Sequence, residues 1–304
     1  MSLITALPGA AAQGLIWGIM AIGVYITFRI LDIADLTVDG TLCTGGAVCI
    51  MMMLSGHNVW VSMLAATGAG LLAGLATGIF HTFMGIPAIL AGILTQLSLY
   101  SINLKIMGKA NQAINVDKFN LLVSLRRVKG VALTQNTLFI VAIMIIILIA
   151  VLYWFFGTEL GCSLRATGCN PSMSRAQGIN TDRNKVLGLM LSNGLVALSG
   201  ALLTQYQGFA DINMGRGSIV IGLAAVIIGE AIFSRIFRNF ALKLLSVVFG
   251  SILYYLVLQI VIWMGIDTDL LKMLSALVVA FFLAFPYWKG KYFTKAKQGG
   301  KLSC

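Results

Sequence analysis

GTLCTGGAVCIMMMLSGHNVWVSMLAATGAGLLAGLATGIFHTFMGIPAILAGILTQLSLYSINL, residues 40–104, contains no Asp, Glu, Lys or Arg. Soluble domains carry about 25% charged residues, so a run of this length without one is foreign to them. At about 20 residues per crossing it holds up to three membrane helices. Outward from it, three more charge-free runs, Gly130–Thr158, Val186–Ala210 and Leu244–Ile266, supply one span each. The composition agrees: 59% of residues are apolar and 10% charged, with a mean hydropathy of +0.94. These observations predict an all-α polytopic membrane protein with about nine apolar blocks, at 10–28, 38–54, 59–80, 86–107, 136–156, 186–206, 218–234, 240–264 and 271–287. The first block has no Lys or Arg before it, so it lacks the basic start of a cleaved signal and is expected to remain in the mature protein. We read residues 1–304 as a single transmembrane domain, with a polar insert at about 157–185 and a basic tail at about 288–304.

Orientation follows from Lys and Arg near span ends. The tail residues Lys289, Lys291, Lys295, Lys297 and Lys301 predict a cytoplasmic C-terminus. Counting back puts Arg235 and Arg238 inside, and Arg165, Arg175, Arg183 and Lys185 inside as well. The turns near Asp267 and Asp211 fall outside, and nine spans place the N-terminus outside. The loop 108–135 breaks the pattern, since it falls outside yet carries Lys109, Lys118, Arg126, Arg127 and Lys129. Its run Arg126, Arg127 and Lys129 calls for another use, such as docking an acidic partner. The formal net charge of +11 sits mostly in loops and tail, which points to anionic membrane lipid and away from nucleic acid.

Within the insert, GCSLRATGCNPSMSRAQGINTDRNK from Gly161 to Lys185, Asn170 and Pro171 read as an N-cap and first helical residue, and Gly178 as the stop. A short capped helix between two spans suits the transmission of force. Two distant segments are alike: ADLTVDGTLCTGGA from Ala34 and ADINMGRGSIVIGLA from Ala210. They fall on opposite sides of the membrane in the counted topology, as an inverted repeat requires, and each is expected to open a broken or half helix. Gly70, Gly74 and Gly78, like Gly14 and Gly18, recur every four residues and predict close helix packing. Gln96, Tyr100 and Asn103 share one face of the fourth span, where polar groups either line a pathway or bond to a neighbouring helix. Asn193, alone in its span, raises the same choice, as do Gln205 and Gln259. Glu230 is expected to pair with Arg235 or Arg238.

The five cysteines show no metal or redox spacing, and His57 and His81 have no neighbouring ligands. There is no phosphate loop, HExxH, GxSxG or dinucleotide fingerprint. Such a chain is expected to have no catalytic residue and no cofactor of its own.

The run LRATGCNPSMSRAQGINTDRNKVLGLMLSNGLVALSGALL from Leu164, with the ADINMGRGSIVIGLAAVIIGE segment, resembles permease subunits of bacterial ABC importers of the branched-chain amino acid and ribose superfamily. LTVDG at Leu36–Gly40, with LAGILTQLSLYSINLKIMGKANQ from Leu90, is similar to the subgroup that imports tryptophan or tyrosine. The resemblance implies two permease copies around a central path, a cytosolic ATPase dimer that binds the ATP and Mg, and an extracytoplasmic substrate-binding lipoprotein, all at the bacterial cytoplasmic membrane. It implies that Arg165, Asn170, Pro171, Ser174, Arg175, Gln177 and Asn180 lie on the coupling surface for the ATPase. It places Asp35, Asp39 and Gly40 at a broken helix beside the path, which Gln96, Tyr100, Asn103 and Asn193 would also line. Arg126, Arg127 and Lys129 would receive the binding protein. Alternatives are a permease for another small solute, such as a branched-chain amino acid, sugar or nucleoside, and an ion-coupled transporter, which would need an ionisable relay deep in its spans.

Overall fold

The computed structural model describes residues 3–264 except 117–118, 120, 129–135, 234–236 and 238, with isolated positions between 270 and 284. Helix α1 (Leu3–Tyr25) continues into a π turn, Ile26–Ile30, followed by an irregular segment in which Asp32 takes a positive φ of 55°. Then come α2 (Val38–Leu54), α3 (Val59–Thr82) and α4 (Ala88–Met107). A short strand β1 (Asn111–Ala113) and a 3-10 turn at Leu125–Val128 precede α5 (Thr137–Gly157), α6 (Glu159–Cys169), α7 (Pro171–Ala176) and α8 (Thr181–Gln207). Strand β2 (Phe209–Asp211), α9 (Ser218–Phe233) and α10 (Phe240–Trp263) complete the described chain.

This is an all-α polytopic membrane protein. Eight of the nine apolar blocks are helices; the ninth, 271–287, lies largely outside the described residues. Among the described residues six helices are long and apolar enough to cross a bilayer. The other two, α2 with 17 residues and α9 with 16, are shorter, as expected for half helices. α8 begins a full turn before the expected 186, because the Asn180 side chain accepts from the Asp182 and Arg183 amides and starts the helix in polar sequence. The insert also holds a helix that its polarity concealed: α6 starts at Thr158, whose hydroxyl accepts from the Gly161 amide.

Helices α1 and α8 form the centre, and small residues let their neighbours close on them. Gly70 and Gly74 of α3 face the Asn193 and Leu189 carbonyls of α8, where a Cβ would collide with backbone. Gly14 and Gly18 seat α1 against Ile252 and Val248 of α10 in the same way. Both glycine stripes therefore work as packing faces. Helices α4 and α5 lie outermost, showing side chains such as Leu97, Ile146 and Trp154.

The molecule has two distinct ends. α7 precedes α8 and β2 follows it, so these two sit at opposite ends of the longest helix. β1 pairs antiparallel with β2, Gln112 opposite Ala210, which fixes the loop after α4 at the β2 end. The Tyr206 hydroxyl donates to the Gly9 carbonyl, bringing the start of α1 there too. The described residues 108–116 and 121–128 and the start of α1 thus share one end, opposite α7.

Candidate functional site

The two half helices meet at their N-termini. Asp39, in the first turn of α2, accepts at Oδ1 from the Ser218 hydroxyl (2.9 Å) and the Ile219 amide (3.0 Å), and at Oδ2 from the Gly217 amide (2.9 Å). A carboxylate there satisfies donors that the helix itself cannot and complements the positive end of α9. The approach requires Gly215, where a Cβ would strike the Asp39 backbone carbonyl. From this junction α2 and α9 diverge toward opposite ends. The likeness of ADLTVDG and ADINMGRG predicts two half helices on opposite sides of the membrane, but not that their N-termini meet.

A cavity of 340 Å³ opens beside the junction. Asp39, Gly40, Gln96, Tyr100 and Asn103, five of the seven pathway candidates, line it. Gly40 lets α4 approach: a Cβ there would press on the Gln96 Cα at 3.1 Å and the Leu99 Cβ at 3.2 Å. Asn103 is 1% exposed; its Nδ2 donates to the Gly40 carbonyl at 3.4 Å, while its Oδ1 has no hydrogen-bond partner. Sequence reasoning missed Cys43, Leu97, Ile212 and Arg216, which also line the cavity. The Arg216 guanidinium lies 6.0 Å from the centre of the Tyr100 ring. Its one sequence signal was a cation inside the repeated ADINMGRG motif, which the counted topology had left in an outer turn.

Asp35 and Asn193 do not line this cavity, contrary to the pathway assignment. Asn193 is fully buried; its Nδ2 donates to Asp35 Oδ2 (2.7 Å) and to the Leu189 carbonyl, and its Oδ1 accepts from Thr41. Asp35 Oδ1 receives the Thr37 amide. Beside them the hydroxyls of Thr37, Thr77 and Thr95 form a chain across α3 and α4. This satisfied network pins the irregular segment before α2 to its neighbours, which makes both residues structural supports of the half helix. Gln205 likewise bonds its surroundings, accepting the Leu122 amide.

In the insert, the Asn170 side chain accepts from the Met173 amide (3.0 Å), Pro171 is the first residue of α7, and Gly178 leaves it at φ +79°, as the sequence predicted. Asn170, Pro171, Arg175, Gln177 and Asn180 are exposed. Two expected contact residues point inward. Ser174 is buried, its hydroxyl donating to the Asn170 carbonyl. Arg165 lays its guanidinium 4.1 Å from the Phe240 ring centre and 5.4 Å from that of Phe156, so it ties α6 to α5 and α10. Met173, 61% exposed, is the apolar residue that α7 presents.

At the other end Arg126 is exposed, whereas Arg127 is half-buried and donates to the Leu121 carbonyl. Lys129 lies outside the described residues, as do Arg235 and Arg238. The described partner of Glu230 is Arg29, at 2.9 Å. This joins α9 to the π turn after α1, a pairing that sequence proximity did not reveal.

A family model for the permease component of the branched-chain amino acid transport system matches residues 7–283. The chain belongs to this family. Permeases of the family work with a separate ATPase subunit and are not catalytic proteins themselves. A tyrosine transport system permease protein of Clostridioides difficile (strain R20291) is 39% identical over 90% of this chain and 88% of its own. A fructose import permease protein of Bifidobacterium longum (strain NCC 2705) is 25% identical over 81% of this chain and 67% of its own. Among solved structures, PsaBC from Streptococcus pneumoniae in complex with Fab is similar, with a TM-score of 0.52 at 16% identity, covering 96% of this chain and 95% of that one. That likeness concerns the fold.

Proposed function

We propose that this ABC permease imports amino acids, with tyrosine and tryptophan as its substrates. The observation that carries the reading is the 39% identity to a tyrosine transport permease across nearly all of both chains. The cavity at the half-helix junction, with its phenol ring and polar wall, is consistent with it. In this reading two copies form a homodimer around the path, an extracytoplasmic binding lipoprotein delivers substrate, and a cytosolic ATPase dimer engages α7. The α7 end faces the cytoplasm, where the exposed Arg175 and Arg183 agree with the positive-inside rule. The β1–β2 end, with Arg126 and Arg127, faces the binding protein, and the N-terminus lies outside.

An ion-coupled mechanism is disfavoured by the carboxylates. Asp39 holds α9, Asp35 is locked by Asn193 and Thr37, and Glu230 is paired with Arg29, so each already has a structural partner. The test is reconstitution with the cognate ATPase and binding protein in proteoliposomes. Uptake of labelled L-tyrosine or L-tryptophan that requires ATP supports the reading. Uptake of a sugar in their place, or uptake driven by an ion gradient without ATP, refutes it.

A further inference from the structure

Arg216 is an exposed cation that has no carboxylate within ion-pair distance among the described residues. It stands in the chain between β2 and α9, yet it lines the cavity beside Asp39, Tyr100 and Asn103. Among the described residues the one ion pair is Arg29–Glu230, so Arg216 and Asp39 share a wall without being joined. In a membrane protein an exposed, unpaired arginine is expected to face water or a ligand and not lipid, and here it faces the cavity. A second group in the same wall is also unspent: the Asn103 Oδ1, on a side chain 1% exposed, has no donor. A buried acceptor left unmet costs about 1–3 kcal/mol in a finished core, so such an atom belongs where a ligand or water completes it. Asp39 keeps capacity too, because its Oδ2 accepts a single bond, from Gly217.

Together these groups present one planar cation, one carboxylate oxygen and one amide oxygen around a space of 340 Å³, within the roughly 300–1,000 Å³ of small-molecule sites. We propose that the cavity is a transit site for a zwitterionic amino acid: Arg216 receives the α-carboxylate, Asp39 Oδ2 and Asn103 Oδ1 receive the ammonium, and the side chain lies against Tyr100. A guanidinium matches a carboxylate with two parallel hydrogen bonds. A neutral sugar would leave both charges unmatched, so the permease itself selects against it. The inference rests on the amino-acid importer reading and extends it from the binding protein to this chain.

The test uses the complete transporter in proteoliposomes and two readouts. The first is uptake of labelled L-tyrosine. Arg216→Gln is expected to lower it by at least about tenfold, the effect of losing one charge-assisted contact, and Arg216→Lys to lower it less. Both variants should still copurify with the ATPase. The second readout is independent of substrate: Leu97→Cys, on the exposed rim of the cavity, is modified with an anionic and a cationic methanethiosulfonate, corrected for labelling of the chain without that change. The anionic reagent should react preferentially, and Arg216→Gln should abolish the preference. An unchanged rate ratio in Arg216→Gln overturns the inference whatever the uptake, because Arg216 then does not set the charge of the cavity. Normal tyrosine uptake by Arg216→Gln also overturns it, as does loss of uptake together with loss of the ATPase from the complex. A wild-type complex that carries neither tyrosine nor tryptophan refutes the importer reading instead, and the rate ratio then still decides whether Arg216 is an anion receptor.

Discussion

Replacing Asp39 by Asn tests whether the two half helices are held together by this one side chain. The amide keeps an oxygen for Ser218 and Ile219 but turns a donor toward the Gly217 amide, which then loses its acceptor. The Gly217 amide is exposed, so the loss of its acceptor costs about 0.5–1.5 kcal/mol. Removing the negative charge from the N-terminus of α9 adds about 0.5–2 kcal/mol in this partly buried setting. The sum is about 1–3.5 kcal/mol. At the few degrees per kcal/mol typical of domains of this size, the melting temperature should fall by roughly 2 °C or more. Tryptophan fluorescence of the purified protein in lipid nanodiscs measures it. Ser218→Ala removes a single donor to Asp39 and should cost about 1 kcal/mol. Because the amide of Asp39→Asn keeps its oxygen on Ser218, the double variant should be destabilised by about the sum of the two. A melting temperature for Asp39→Asn within about 1 °C of wild type would falsify the capping role.

Asn103→Leu should impair tyrosine uptake while the complex with the ATPase still assembles; normal uptake would make Asn103 a packing residue. Ser174→Pro adds a ring to the interior of α7 and removes its hydrogen bond to Asn170, at roughly 3 kcal/mol, enough to unfold a helix of 6 residues. The variant should insert normally, but its ATPase should no longer respond to loaded binding protein, and an unchanged response would remove α7 from the coupling surface. Since Ser174 is buried, the cysteine that should crosslink to the ATPase in a nucleotide-dependent way belongs at Met173. Reversing Arg126 and Arg127 to Glu should slow binding-protein association, most at low ionic strength. Labelling of Leu125→Cys from the outside should establish the side of this loop; Leu125 is 58% exposed, whereas Ser124 is buried.

The membrane class, eight of the helices and the capped turn of the insert were legible in the sequence because each depends on residues adjacent along the chain. Hydropathy over 20 residues decides whether a segment crosses a bilayer, and Asn170 before Pro171 starts a helix whatever surrounds it. The glycine stripe 70-74-78 announced a packing face but not its partner, α8. The likeness of ADLTVDG and ADINMGRG announced two half helices, and only the tertiary structure showed Asp39 of the first capping the second, 180 residues away. The same holds for the sorting of polar residues. Asp35 and Asn193 are as polar as Asp39 and Asn103, yet packing turns the first two toward each other and the last two toward a cavity. Arg165 and Arg216 are both isolated cations in the sequence; one is spent on Phe240 and the other stands open beside Tyr100. Local pattern determines which segments enter the membrane, because burial of the backbone is set segment by segment. Which side chain meets which is settled by the close approach of helices far apart in sequence, and the candidate site is made of those meetings.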